Sequence, residues 1–316
     1  MKNAIGIDLG GTSIKYALVD EKGSVHFENT IPSNGDISKD AVVTQLLKAI
    51  EDVSAFAKTN NREIAGVGIG TPGIIDKTER IVLGAAENIK GWENLPLADL
   101  IEDKTNLFVT VANDANMMGI GETIYGAGKG FSHVVFVTVG TGIGGAVVID
   151  GKLFNGFDNR GTELGHVPFI ANGKPCECGS VGCLEAYAST SALVEDFSKE
   201  YKGSEKVDGK LIVKLFKEDD AIAVASLEQH CDYLGHGISG IINTFSPQRV
   251  IIGGGLSEAG DFYIDKVRKA AFRYAMKECA VNTEIISATL GNKAGFIGAA
   301  AEVFAKNKQF LYFTYL

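Results

Sequence analysis

Ile5-Gly6-Ile7-Asp8-Leu9-Gly10-Gly11-Thr12 runs directly into Ser13-Ile14-Lys15-Tyr16-Ala17-Leu18-Val19-Asp20. The first four residues read as a strand and Leu9–Thr12 as a turn. Ser13–Asp20 alternates apolar and polar in its first half, as a second strand does. The plan returns later. Val134–Val139 is a strand, Gly140-Thr141-Gly142-Ile143-Gly144-Gly145 a turn, Ala146–Ile149 the return strand, and Asp150-Gly151 the next turn. This reads as an internal duplication; two unrelated glycine-rich hairpins would look alike locally. Around the repeats, helical periodicity marks 40–58, 189–202, 221–242, 263–278 and 294–306. Apolar strands end at Gly70-Thr71-Pro72-Gly73, at Asn113-Asp114 and at Gly253-Gly254-Gly255. The alternation predicts an α/β chain with largely parallel sheets, each half opening with an antiparallel hairpin, and a ligand cleft between the halves. The expected domains are 1–115, with the C-terminal helix 294–306 packing back on it, and 116–293.

The composition is that of a globular protein with length for two domains: 316 residues, 45% hydrophobic and 22% charged. A net charge of −9, without extended basic blocks, argues against nucleic acid and anionic membranes as partners. The N-terminus shows no leader signature, and no apolar run is long enough to span a bilayer. The tail Gln309–Leu316 is unusually aromatic; docking and fraying both suit it.

Three of the five cysteines, Cys176, Cys178 and Cys183, fall in one short stretch, with His166 upstream. Thiolate and imidazole are ligands that zinc prefers, and four of them close a tetrahedral structural site. Buried inert thiols or a disulfide are the plain alternative. Reduced metal-binding thiols fit a cytoplasmic protein. A metal on His166 and Cys183 would fix Glu163 and Glu185 near one point, although surface acids are the commoner fate of glutamate. Acids clamped in this way suit a polyhydroxyl ligand, and losing the metal is expected to impair the binding of that ligand without touching the glycine turns described next.

Gly140-x-Gly142-x-x-Gly145 matches a dinucleotide fingerprint formally, but a strand follows it where that motif requires a helix. A Walker A sequence is absent. The turns at Gly10-Gly11-Thr12 and Gly140-Thr141-Gly142 through Gly144 are read instead as phosphate cradles. Their bare N–H groups would face a polyphosphate, and glycine would be needed for close approach and for positive φ. Plain hairpin chemistry is the alternative. Asp8 suits Mg²⁺, directly or through water. Gly253-Gly254-Gly255 would let a flat heterocycle lie against backbone. Asp114 could accept a proton from an alcohol during phosphoryl transfer, or could simply cap a helix.

Together these motifs resemble the ROK (repressor, open reading frame, kinase) sugar kinases of the actin-like, ribonuclease-H-like ATPase superfamily. The matching residues are Ile7–Thr12, Gly70–Gly73, Asn113-Asp114-Ala115-Asn116, Gly140–Gly145, Glu163-x-Gly165-His166 and Cys176-x-Cys178-Gly179-x-x-Gly182-Cys183-Leu184-Glu185. The resemblance spans nearly the whole chain and excludes the aromatic tail. It implies a two-domain actin-like fold and ATP-dependent phosphorylation of a hexose 6-hydroxyl, with Asp114 as base. Implied hexose contacts are Asn88, Asn113, Asp114, Glu163, His166 and Glu185, and a homodimer is also implied. Glucose is the expected substrate; N-acetylmannosamine, N-acetylglucosamine, mannose, allose and fructose are alternatives. A non-catalytic sugar-binding protein and a sugar-responsive repressor are the readings from other classes. The repressor is disfavoured because the first phosphate turn comes too early for a preceding DNA-binding helix pair.

Overall fold

The computed structural model describes residues 2–86 and 88–306, so the aromatic stretch Gln309–Leu316 lies outside the described residues. The chain divides into two units. Unit 1 contains residues up to Gly130, Gly151–Thr162 and the segment from Asn292; unit 2 contains Phe131–Asp150 and Glu163–Gly291.

Unit 1 begins with β1 (Asn3–Leu9), β2 (Ser13–Asp20), β3 (Val25–Pro32), α1 (Lys39–Thr59) and β4 (Ile64–Thr71). A small hairpin, β5 (Ile74–Ile75) and β6 (Val82–Gly84), precedes α2 (Leu97–Thr105), β7 (Val109–Asn113) and α3 (Asp114–Tyr125). Unit 2 contains β8 (Val134–Val139) and β9 (Ile143–Ile149). After the two-residue β10 (Lys152–Leu153) come α4 (Glu185–Ala188), α5 (Thr190–Glu200), α6 (Gly209–Lys217) and α7 (Ala221–Phe245). Then follow β11 (Arg249–Gly253), α8 (Asp261–Tyr274), α9 (Lys277–Ala280) and β12 (Glu284–Ser287), and α10 (Ala294–Lys306) closes the described chain.

In unit 1 the strand order is β3-β2-β1-β4-β7, with β1, β4 and β7 parallel and the β1–β2–β3 meander antiparallel. Unit 2 repeats the inner part of this plan as β9-β8-β11-β12: an antiparallel pair followed by two parallel strands. The duplication legible in two glycine turns therefore extends through both sheets.

Strand alternation sorts the faces of the first sheet. Ile5, Ile7 and Leu9 join the core that contains Val42, Leu46, Ile50 and Val53 of α1. The opposite face carries Gly6 and Gly68, where a Cβ would stand 1.8 Å from Phe296 O and 1.9 Å from Ala299 O. Small residues let the α10 backbone lie almost on the strands. The same device joins α3 to α10: a Cβ at Gly298 would meet Met117 O at 1.7 Å, and one at Gly121 would meet Ala294 O at 2.4 Å. That packing corrects the expected boundary at 115. A cut there would strip α3 from its partner helix, and unit 1 instead runs to Gly130. Unit 2 is built around Val135, Val137, Ile238, Ile252 and Val267, with α5 to α8 contributing most of its core.

Candidate active site

In unit 1 the candidate residues gather at the carboxyl ends of parallel strands, the usual ligand edge of an α/β sheet. Asp8 pairs with Gly70 of β4, and Thr71 pairs with Asn113 at the end of β7. A Cβ on Gly70 would approach Cα of Asp114 to 3.4 Å. Gly70 is thus the strand partner of one candidate carboxylate and lies against the backbone of the other. Burial pushes the Asp8 carboxyl upward, against the pull of the Lys15 charge. The lone tryptophan, Trp92, is buried here, its Nε1 donating to Thr71 Oγ1 at 2.8 Å.

Asn113, not Asp114, caps α3. Its Oδ1 accepts from Ala115 N at 3.0 Å and Asn116 N at 3.2 Å, while Nδ2 donates to Gly73 O at 3.2 Å. Asp114 is the first helical residue, and its Oδ1 accepts from Ala115 N at 2.8 Å. The cap is satisfied by a neighbour, so the carboxylate is not needed for that purpose. Asn88 is exposed and lies over the first glycine turn, where a Cβ on Gly11 would touch its Nδ2 at 2.8 Å.

The reason for glycine in these turns differs from the expectation. Gly10, Gly11, Gly140, Gly142 and Gly144 are all outside the left-handed region, so positive φ is not what selects them. Clearance selects Gly11 and Gly142; a Cβ on Gly142 would stand 2.2 Å from Glu185 Oε2. Gly140 faces open space, with nothing within 4 Å of its Cβ position. Of the glycines expected to face the nucleotide, Gly254 alone takes a positive φ, 92, and it packs on Val139 O. Its neighbour Gly255 lines a cavity of about 490 Å³ with Thr190, Lys210, Lys217, Leu256 and Glu258. The other walls of this cavity come from α6 and the α5 N-terminus, which lie far from Gly255 in sequence and belong to none of the glycine turns.

In unit 2, His166, Cys176, Cys178 and Cys183 bring their ligand atoms within 4.8 Å of one another. Cys178 and Cys183 Sγ are 3.7 Å apart, and Cys176 Sγ is 3.6 Å from His166 Nδ1. Bonds of ordinary zinc length at tetrahedral angles give edges of about 3.8 Å for S···S and about 3.6 Å for S···N. The donor set therefore fits a four-coordinate zinc ion. The loop is shaped by a tight turn in which Cys176 N donates to Ser180 O at 2.9 Å and Gly179 takes φ 86. Burial pushes the Cys176 thiol up to about 12, so without a metal this thiol stays protonated.

Glu185 starts α4 and joins this cluster to the second glycine turn. Its Oε1 lies 3.7 Å from Cys176 Sγ and 3.9 Å from His166 Nδ1, and its Oε2 accepts from Ile143 N at 2.7 Å. No local pattern signals this bridge, because Ile143 and Glu185 are far apart in the chain. Glu163 is held above the usual carboxylate range chiefly by burial; the His166 charge opposes this and the Glu185 charge adds to it. The two acids thus sense each other within unit 2.

A duplicated α/β plan, with a glycine turn opening each half and acids at strand ends, defines an actin-like ATPase fold. The chain belongs to the ROK family, whose model matches residues 4–306. A glucokinase of Thermotoga maritima is 37% identical over 309 residues, covering 94% of this chain and 96% of that protein. The crystal structure of a ROK family glucokinase from Streptomyces griseus, in complex with glucose and AMPPNP, has a TM-score of 0.83 at 33% identity, covering 94% of this chain and 98% of that one. A ROK hexokinase from Thermus thermophilus has a TM-score of 0.84 at 30% identity, over 98% and 100%. Among the described residues no helix is long and apolar enough to cross a membrane.

Proposed function

We propose that the protein transfers the γ-phosphoryl group of ATP to the 6-hydroxyl of glucose. The observation that carries this reading is the pairing of Asp8 and Asp114 about Gly70, in a family that includes glucokinases. Asp114 is the general base: the O6 proton passes to its carboxylate as the O6–phosphorus bond forms. The bond from the γ-phosphorus to the bridging oxygen breaks, and ADP leaves with that electron pair. Positioning and electrostatics, not covalent chemistry, supply the rate of such a transfer.

Asn88, Asn113, Glu163, His166 and Glu185 bind the sugar hydroxyls in this reading. Gly10–Thr12 and Gly140–Gly144 face the phosphates, and the Gly255 cavity takes the nucleoside. Asp8 would hold Mg²⁺, which when bound offsets the phosphate charge. His166, Cys176, Cys178 and Cys183 would hold Zn²⁺ in a structural role, since four protein ligands leave no open position. His166 turns Nδ1 to the cluster, which leaves Nε2 for a hydroxyl. Free metal-binding thiols suit the cytoplasm. A homodimer belongs to the same reading, and exposed Val181, Phe272 and Met276 offer apolar surface for it.

An ADP-release assay over glucose, mannose, allose, fructose, N-acetylglucosamine and N-acetylmannosamine tests the proposal. Glucose should give the highest kcat/KM. Preference for another hexose would revise the substrate, and sugar binding without ADP release would reject phosphotransfer.

A further inference from the structure

We propose that Cys178 and Cys183 are a site of reversible oxidation, at which a hydroperoxide joins the two sulfurs, expels the metal and loosens hexose binding, a modification that rests on the zinc and hexose reading of the preceding section. Of the five free cysteines Cys178 alone is exposed, whereas Cys183 is 1% exposed. An oxidant arriving from solvent therefore meets Cys178 first. The two Sγ atoms lie 3.7 Å apart. A disulfide needs them only about 1.7 Å closer. The backbone lets Cys178 make that move. Cys183 is held by a bridge to Pro168, and Gly182 O before it accepts from Phe169 N at 2.7 Å and Ile170 N at 3.0 Å. Cys178 sits in the turn that Cys176 N closes on Ser180 O, and the chain between the two thiols contains Gly179 at φ 86 and Gly182 at φ 75. Glycine leaves the backbone dihedrals there freer than any other residue would.

The step balances with peroxide as the oxidant. The Cys178 sulfur attacks one peroxide oxygen, the O–O bond breaks, hydroxide leaves, and Cys178 carries a sulfenic acid. The Cys183 sulfur then attacks the Cys178 sulfur. The S–S bond forms as the S–O bond breaks, and a second hydroxide leaves. Both hydroxides take protons from solvent and become water, and the two sulfurs have supplied the two electrons. Of the metal donors only Cys176 and His166 remain, too few for the closed site. These two are also the neighbours of Glu185 Oε1, at 3.7 and 3.9 Å. Losing the ion therefore loosens the surroundings of an acid assigned to the hexose. Transient disulfides of the cytosol serve as sensors of this kind.

The test treats reduced, zinc-loaded protein with hydrogen peroxide. A colorimetric chelator follows zinc, peptide mass mapping follows the disulfide, and calorimetry follows glucose affinity. The bound zinc should be released, the peptide holding Cys178 and Cys183 should become lighter by two hydrogens, and glucose affinity should fall at least about tenfold. Dithiothreitol with added zinc should reverse each change. Cys178→His keeps a zinc donor but removes the exposed thiol, so it should hold zinc and release it to peroxide at least about tenfold more slowly than wild type. Cys178→Asp replaces the histidine variant if that one fails to hold zinc. Zinc retained by the oxidised wild type would overturn the proposal, as would release from the variant at the wild-type rate. A disulfide mapped to another pair, sulfinic acid that dithiothreitol leaves in place, or glucose affinity within about twofold of the reduced protein would overturn it too. Reduced protein that binds no zinc would reject the metal reading, whereas the mapped disulfide tests the thiol pair by itself.

Discussion

Asp114→Asn separates chemistry from folding at this site. The amide keeps an Oδ1 where the carboxylate accepts from Ala115 N at 2.8 Å, and the Asn113 cap is untouched. The substitution removes one negative charge from the first turn of α3. Such a charge is worth about 0.3–1 kcal/mol against the helix dipole, so Tm should fall by no more than about 4 °C. The amide cannot take the O6 proton, and loss of a general base costs about 10²–10⁴-fold. At about 1.36 kcal/mol per decade, that raises the barrier by about 2.7–5.5 kcal/mol. The reaction should therefore suffer several times more than the fold. A coupled ADP-release assay at saturating glucose measures kcat, calorimetry measures glucose affinity, and a thermal melt measures stability. We expect kcat to drop by the stated factor with glucose affinity nearly unchanged. A folded variant whose kcat stays within about tenfold of wild type would refute the base assignment.

Other expectations follow from the packing around the acids. Cys178→Ala should abolish zinc on elemental analysis and weaken glucose binding. Because Glu185 Oε2 also holds Ile143 N, zinc loss should now reach the glycine turn and weaken ADP binding as well. ADP affinity identical in zinc-free and zinc-loaded protein would break that coupling. His230 is fully buried, Nε2 sits 2.9 Å from Tyr263 Oη, and burial lowers its pKa from 6.5 to about 4. The unfolded chain therefore binds a proton that the folded chain refuses between those values, so stability falls as pH drops through the window. From pH 7 to pH 5 the loss should be about 2 kcal/mol in urea unfolding, and His230→Gln should remove it. An unchanged pH slope in that variant would count against the assignment.

Much of the site was legible because its determinants are local. Cys176, Cys178 and Cys183 are so close in sequence that a turn at Gly179 suffices to bring the thiols together. His166 was found from donor chemistry and flanking pattern. Asp8 and Asp114 stood out because polar residues end apolar strands. Other features gave no pattern to read. β3 has no fully buried residue, and its apolar positions Val25, Phe27 and Ile31 are interrupted by Asn29, so its alternation is too short to mark a strand by itself.

The chain order alone determined the strand–turn–strand repeat, the α/β class and the donor set for a metal, since each depends on residues a few positions apart. Tertiary structure decided the rest. It put Gly70 between the two acids, laid the α10 backbone on Gly6 and Gly68, kept α3 in unit 1 and turned Glu185 toward Ile143. These are contacts between distant segments, fixed by which backbones can approach closely, and periodicity within a short window carries no record of them.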